Sequence, residues 1–197
     1  MAEKLPEFRR AARHDAVDLA RRMFLAGERV DMQVLADQLG VARGTLYRWV
    51  KSRDVLLDEL LAAITREMYA AVREQPHGDG LEGVVGAMRT AMEIFATFEP
   101  ARAFVAREPQ LAVRLLMSET GGVQRELSAG TRELLVAEGV PAGPELDDLV
   151  LTVVPIATSM IWVTFAIGEE PQIERATNVV RRLLGTVLPG AGVSGSA

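Results

Sequence analysis

Residues 31–51, DMQVLADQLGVARGTLYRWVK, concentrate side chains suited to a polyanion. An arginine such as Arg43 can fork onto O6 and N7 of guanine, while Tyr47, Arg48, Lys51 and the adjacent Arg53 suit phosphate contacts. Gly44 leaves nothing protruding between them, which would let a helix approach a groove closely. These types work together only if one helix presents them. At 100° per residue, a short helix over 42–50 places Leu46, Trp49 and Val50 on one side and Gly44, Tyr47, Arg48 and Lys51 on the other. Arg43 then lies near the N-terminal tip, where recognition helices reach base edges.

The elements needed to hold such a helix are written immediately before it. Asp31 is a plausible N-cap for a helix over 32–39, and Gly40 supplies the left-handed turn that other residues adopt at a cost. Ala36 is small where two short helices must press together, and Leu35, Leu39, Val41, Leu46 and Trp49 fall at the inward spacing of a helix-turn-helix core. A first helix over about 7–26 lines one face with Ala16, Leu19, Ala20, Met23 and Phe24, and Ser52 can cap a long fourth helix through about Gln75. Were the two short helices merely part of a larger core, Tyr47 and Trp49 would be ordinary packing aromatics and the arginines a solvated face.

Charge is divided accordingly. Residues 1–53 hold 11 Lys and Arg against 7 Asp and Glu, a net of +4; residues 54–197 hold 11 against 20, a net of −9. A basic head on an acidic body suggests that only the head meets a polyanion.

The run GVARGTLYRWVKSRDVLLDELL resembles the helix-turn-helix and start of the fourth helix in TetR-family transcriptional regulators, with the likeness spanning about residues 10–60. Gly40–Val41, Arg43 through Tyr47, and Ser52 through Asp54 match that pattern position by position. The departure is Trp49–Val50, where the family commonly has His-Phe; an indole N–H can still donate to a phosphate. The resemblance implies a DNA-contact set of Arg43, Gly44, Thr45, Tyr47, Arg48, Trp49, Lys51 and Arg53. It also implies a four-helix dimer interface built from the last two helices of each copy. Residues 29–54 further resemble a subgroup controlling breakdown of quorum-signal lactones.

The rest of the chain reads as an all-α body. Helices fit about 81–98, 100–107, 109–119, 121–138, 145–167 and 172–188, with prolines as punctuation, and a Gly/Ser tail over 190–197 reads as disordered. The expected division is a helix-turn-helix domain over 1–53, an effector-binding and dimerisation domain over 54–189, and that tail. Met88, Met92 and Phe95 share one helical face, and with Met117, Ser159 and Trp162 they are candidates to line an adaptable apolar effector pocket. Thr158 and Arg89 are further candidates for its polar contacts. Ile156, Met160, Val163, Val179, Val180 and Leu183 offer more apolar surface than one partner face needs, as a homodimer interface would.

Other chemistries are poorly supplied. There are no cysteines, so thiolate metal sites and disulfides have no material, and with only two histidines, His14 and His77, imidazole zinc sites and Ser-His relays are poorly supplied. The GDGLEG run at 78–83 spells a dinucleotide fingerprint, but a helix and Pro76 precede it where a strand is required, and its acids would repel pyrophosphate. Residues 149–167 are uncharged and long enough to cross a membrane, yet acids flank them on both sides and hydroxyls dilute them, which favours a buried helix. The expectation is a cytoplasmic, cofactor-free, non-enzymatic regulator that binds duplex DNA as a dimer, engages no membrane, and is released by a small apolar or amphipathic effector. The alternatives are a helical small-molecule carrier or enzyme without specific DNA binding, and a membrane-surface protein anchored by 149–167.

Overall fold

The computed structural model describes residues 12–185 and Leu188, and among these the chain is all helix. Three helices form the N-terminal head: α1 (Arg13–Leu25), α2 (Met32–Leu39) and α3 (Arg43–Val50). The body comprises α4 (Arg53–Arg73), α5 (Gly80–Thr97), α6 (Glu99–Arg107), α7 (Pro109–Met117), α8 (Gly122–Ala137), α9 (Pro144–Ala166) and α10 (Ile173–Leu184). Each expected helix is present, with ends displaced by a few residues. The expected start of the first helix at 7 and the tail over 190–197 lie outside the described residues.

The punctuation has physical causes. Asp31 caps α2 by accepting from the backbone N–H of Gln33 at 2.7 Å and Val34 at 3.2 Å, bonds that hold its carboxyl below the usual aspartate range. Gly40 takes φ 64°, and Val41 donates back to the Ala36 carbonyl at 3.0 Å, closing the helix with a left-handed turn. Ser52 caps α4 through Val55 N–H at 3.2 Å. Pro100 and Pro109 open α6 and α7, where a missing N–H costs no helical bond.

α4 is the spine. It packs most extensively on α8, and the seam is unusually close because α8 carries glycine at two facing positions. A Cβ on Gly122 would stand 2.8 Å from the Ala62 Cβ, and one on Gly130 would stand 2.4 Å from the Tyr69 ring. Flanking this seam, Arg66 pairs with Glu126 and Arg73 with Glu133, while Asp58 accepts from Gly122 N–H at 2.8 Å. The core runs continuously from Leu35 and Leu46 in the head through Leu57 and Leu60 of α4 to Val153 and Trp162 of α9.

Candidate nucleic-acid interface and effector cavity

In the head, Leu46 and Val50 are fully buried beneath α3, which fixes its outward face. Arg43, Gly44, Tyr47, Arg48 and Lys51 are exposed on that face, and Thr45 and Trp49 lie half-buried at its edges. The Arg43 guanidinium stands over the Tyr47 ring, 5.7 Å from its centroid, and this contact raises its already high pKa further. Arg48 donates to the Thr45 hydroxyl at 3.1 Å. Both arginines are therefore held along the helix, yet each is bound only to weak local partners that a phosphate or base edge can replace.

Lys51 is the one non-glycine residue with positive φ among those described, at φ 62° and ψ −66°. Ser52 N–H donates across it to the Val50 carbonyl at 2.7 Å, a γ-turn that ends α3 abruptly and turns the chain into α4. Strain of this kind persists where the surroundings over-determine the backbone. Here the Ser52 cap and buried Val50 clamp it from both sides, leaving the lysine side chain beside the reading face. Trp49 packs its ring against the core and receives Arg13 Nε on its backbone carbonyl at 3.1 Å.

Arg53 departs from expectation. It turns away from α3 into the joint between head and body, where its side chain is 17% exposed. Its Nη1 and Nη2 donate to the two carboxylate oxygens of Glu108 at 2.7 and 2.6 Å, and Nε donates to the Val30 carbonyl at 2.5 Å. With both faces of the fork occupied, Arg53 is a head–body tie and leaves the phosphate-contact set. Glu108, between α6 and α7, is held below the usual glutamate range mainly by these hydrogen bonds. Arg107 donates to the Gly27 carbonyl and Arg29 lies 3.7 Å from Glu108, so the α6–α7 corner meets the α1–α2 loop at two points.

A small, partly open cavity of about 40 Å³ lies between α4, α5, α8 and α9 of the body. Met88, Met92 and Phe95 line it as a stripe from α5, facing Ile161 and Trp162 of α9, with Leu127 and Tyr69 closing the sides. Its polar groups are spent internally. The Tyr69 hydroxyl pairs with Thr131 Oγ1 at 3.0 Å, and burial pushes that phenol's pKa up; Thr158 donates to the Val154 carbonyl at 2.7 Å.

Four of the expected pocket residues, Met88, Met92, Phe95 and Trp162, are brought together here. Met117 and Ser159 are not. Met117 ends α7 away from the cavity, and Ser159 is one residue off the inward face, donating to the Ile156 carbonyl at 2.8 Å in a trough between α9 and α10. Arg89 lies on the surface, paired with Glu93 and Glu174. Tyr69, Leu127 and Ile161 were not anticipated; the buried periodicity of α4, α8 and α9 was their only signal.

α9 also bears an outward apolar stripe. Leu151 is 63% exposed and Val163 39%, with Ile156 and Met160 half-buried between them and Ile167 exposed at the helix end. Val179 and Leu183 of α10 are half-buried, whereas Val180 points into the chain's own core.

A three-helix reading head, carrying a cationic outward helix and tied to a helical body with an apolar cavity, defines the molecule as a DNA-reading regulator. A model of the tetracyclin repressor-like C-terminal domain matches residues 79–185. The chain is 32% identical to QsdR, a TetR-family transcriptional repressor from R. erythropolis, with a TM-score of 0.81 over 88% of this chain and 94% of that one. AlkX, a TetR-family repressor from a Dietzia strain implicated in n-alkane biodegradation, shares the fold with a TM-score of 0.58 at 15% identity, covering 90% of this chain and 95% of its own. No curated protein matches significantly. This chain belongs to the TetR family of transcriptional regulators.

Proposed function

We propose that the protein is a homodimeric repressor that binds a palindromic operator and is released by a small apolar or amphipathic effector. The observation that carries this reading is the exposed cationic face of α3, made of Arg43, Tyr47, Arg48 and Lys51 above a buried Leu46 and Val50. On this reading residues 1–53 form the reading domain, and Arg43 contacts base edges. Tyr47, Arg48 and Lys51 contact phosphates, with Gly44, Thr45 and the Trp49 indole beside them.

Two copies pair through the stripe of α9 and the adjoining face of α10, whose exposed Leu151 and Val163 are otherwise left in water. Pairing places two α3 helices in successive major grooves about 34–36 Å apart. The effector occupies the cavity between α5, α8 and α9 and favours a head arrangement with the wrong spacing.

Selection of bound DNA from random fragments tests this. A recovered palindrome whose affinity falls steeply with salt, by about 0.9 in log K per phosphate neutralised, is the expected result. Recovery of unrelated sequences with a flat salt response overturns it.

A further inference from the structure

Several arginines of the body tie neighbouring helices together. Arginines along the helix seams are locked onto carboxylates: Arg132 on Asp147 at 2.9 Å, Arg181 on Glu82 at 2.8 Å, and Arg66, Arg73 and Arg89 on acids of α8 and α10. Arg102 of α6 has no such lock. Its nearest carboxylate oxygen, on Glu99, is 3.7 Å away on a side chain that is 83% exposed, and its Nη1 reaches the Ala96 carbonyl at 3.5 Å. Its guanidinium instead stands over the Phe165 ring, 4.8 Å from the centroid.

That ring belongs to a series leading inward. Phe165 meets Trp162 edge-on at 6.4 Å between centroids, and Trp162 meets Phe95 at 5.8 Å. Trp162 and Phe95 are walls of the cavity, so its aromatic lining continues outward to a loosely held cation. The cavity itself offers an apolar molecule dispersion contacts and no free charge, because Tyr69 and Thr158 are bonded within the protein. A guanidinium resting on an aromatic face keeps its in-plane N–H donors open for a carboxylate, the geometry in which arginine binds acids best.

We propose that the effector is an amphipathic monocarboxylate whose apolar part enters and widens the cavity between α5, α8 and α9 and whose carboxylate is bound by Arg102. This rests on reading the cavity as the effector site, and it adds the chemical class of the ligand and the residue that selects it. Arg102 lies on the same short helix as Arg107, and that helix runs into Glu108. A carboxylate drawn onto Arg102 therefore acts on the element that grips the head. Met88 and Met92, being flexible, accommodate variation in the apolar part without altering the site for the acid group.

The test compares decanoate with 1-decanol, equal in chain length and differing in charge, by calorimetry and by tryptophan fluorescence in a Trp49→Phe background that leaves Trp162 as the reporter, below micellar concentrations. Decanoate is expected to bind about tenfold more tightly than decanol, the scale of one partly exposed charge-assisted pair. In Arg102→Gln that preference disappears while decanol affinity stays, and in Ala157→Leu, with the cavity filled and folding checked by circular dichroism, both ligands are lost. Equal affinity for acid and alcohol, a preference surviving in Arg102→Gln, binding that persists in Ala157→Leu, or no binding of either ligand overturns the proposal. Operator binding without ligand is measured separately. If it is intact while the carboxylate preference is absent, only this inference fails; if sequence-specific DNA binding is absent, the regulator reading fails.

Discussion

Replacing Arg53 with alanine separates two physical roles that its sequence position allows. In the structure its guanidinium forms a two-bond pair with Glu108, at 2.7 and 2.6 Å, and a third bond to the Val30 carbonyl. The partners are 17% and 18% exposed. Breaking a fully buried pair on one side costs about 3–5 kcal/mol, and a net charged hydrogen bond contributes about 1.5–3 kcal/mol. Here Arg29, at 3.7 Å from Glu108, partly compensates, and remaining solvent access screens the rest. A loss of about 2 kcal/mol is the expected magnitude, equivalent to a fall of about 4–8 °C in Tm at this chain length.

The pH dependence has a definite sign. Because Glu108 is held below its ordinary range in the folded state, its contribution is fully present above the unfolded glutamate value and is lost as pH falls through the depressed one. The stability gap between wild type and Arg53→Ala should therefore be full at neutral pH and shrink in acid. Urea unfolding at several pH values, with salt-dependent operator binding alongside, decides the matter. An unchanged unfolding midpoint together with a salt slope shallower by about 0.9 would refute the tie and return Arg53 to the phosphate contacts.

Three further outcomes follow from other parts of the molecule. Arg43→Ala should cost about 1–3 kcal/mol at one base position and relax preference there, and a binding-site selection shows whether the loss is instead uniform across sequences. Gly130→Ala drives a methyl into the Tyr69 ring and should destabilise by about 1–3 kcal/mol while narrowing the cavity; an unchanged Tm contradicts the close α4–α8 seam. The double variant Leu151→Glu, Val163→Glu places charges on the outward stripe of α9 and should yield monomers in sedimentation, with unfolding of the isolated chain little changed because both side chains are exposed in it.

What was legible in the sequence was whatever depends on neighbours along the chain. Asp31, Gly40 and Ser52 mark helix ends through bonds to residues at most five positions away, and all three do so in the structure. The outward set on α3 follows from a short helix with a strong contrast between its sides. α9 lacks that contrast. Its apolar residues surround it because one side meets the cavity and another carries the exposed stripe, so periodicity could not distinguish Thr158, inside, from Ser159, outside. Arg53 shows the other limit: its partner Glu108 is 55 residues distant, and nothing local distinguishes a guanidinium aimed at phosphate from one folded back onto an acid. Tyr69 was missed for the same reason, since its wall position depends on Gly130 and Thr131 of α8.

These long-range contacts set the terms on which the cavity can influence the reading head. α4 serves both sites: Arg53 at its first turn holds the α6–α7 corner, and Tyr69, near its other end, is a cavity wall backed without clearance by Gly130. Displacement of Tyr69 toward α8 is blocked by that backing, so an occupant that enlarges the cavity must move α5, α6 or the axis of α4 itself. Each of those motions strains the joint at Glu108, while the exposed Arg21–Glu67 pair between α1 and α4 resists by less than about 1 kcal/mol. Releasing the Arg53–Glu108 tie requires about 2 kcal/mol, so an effector must bind the released arrangement roughly thirtyfold more tightly than the tied one to offset it. A cavity with no free polar group reaches that ratio only through shape and apolar contact, or through a charge recruited at its mouth. Arg102, on one of the helices free to move and on the same helix as the Arg107 contact to the head, is where such a charge acts with the greatest leverage.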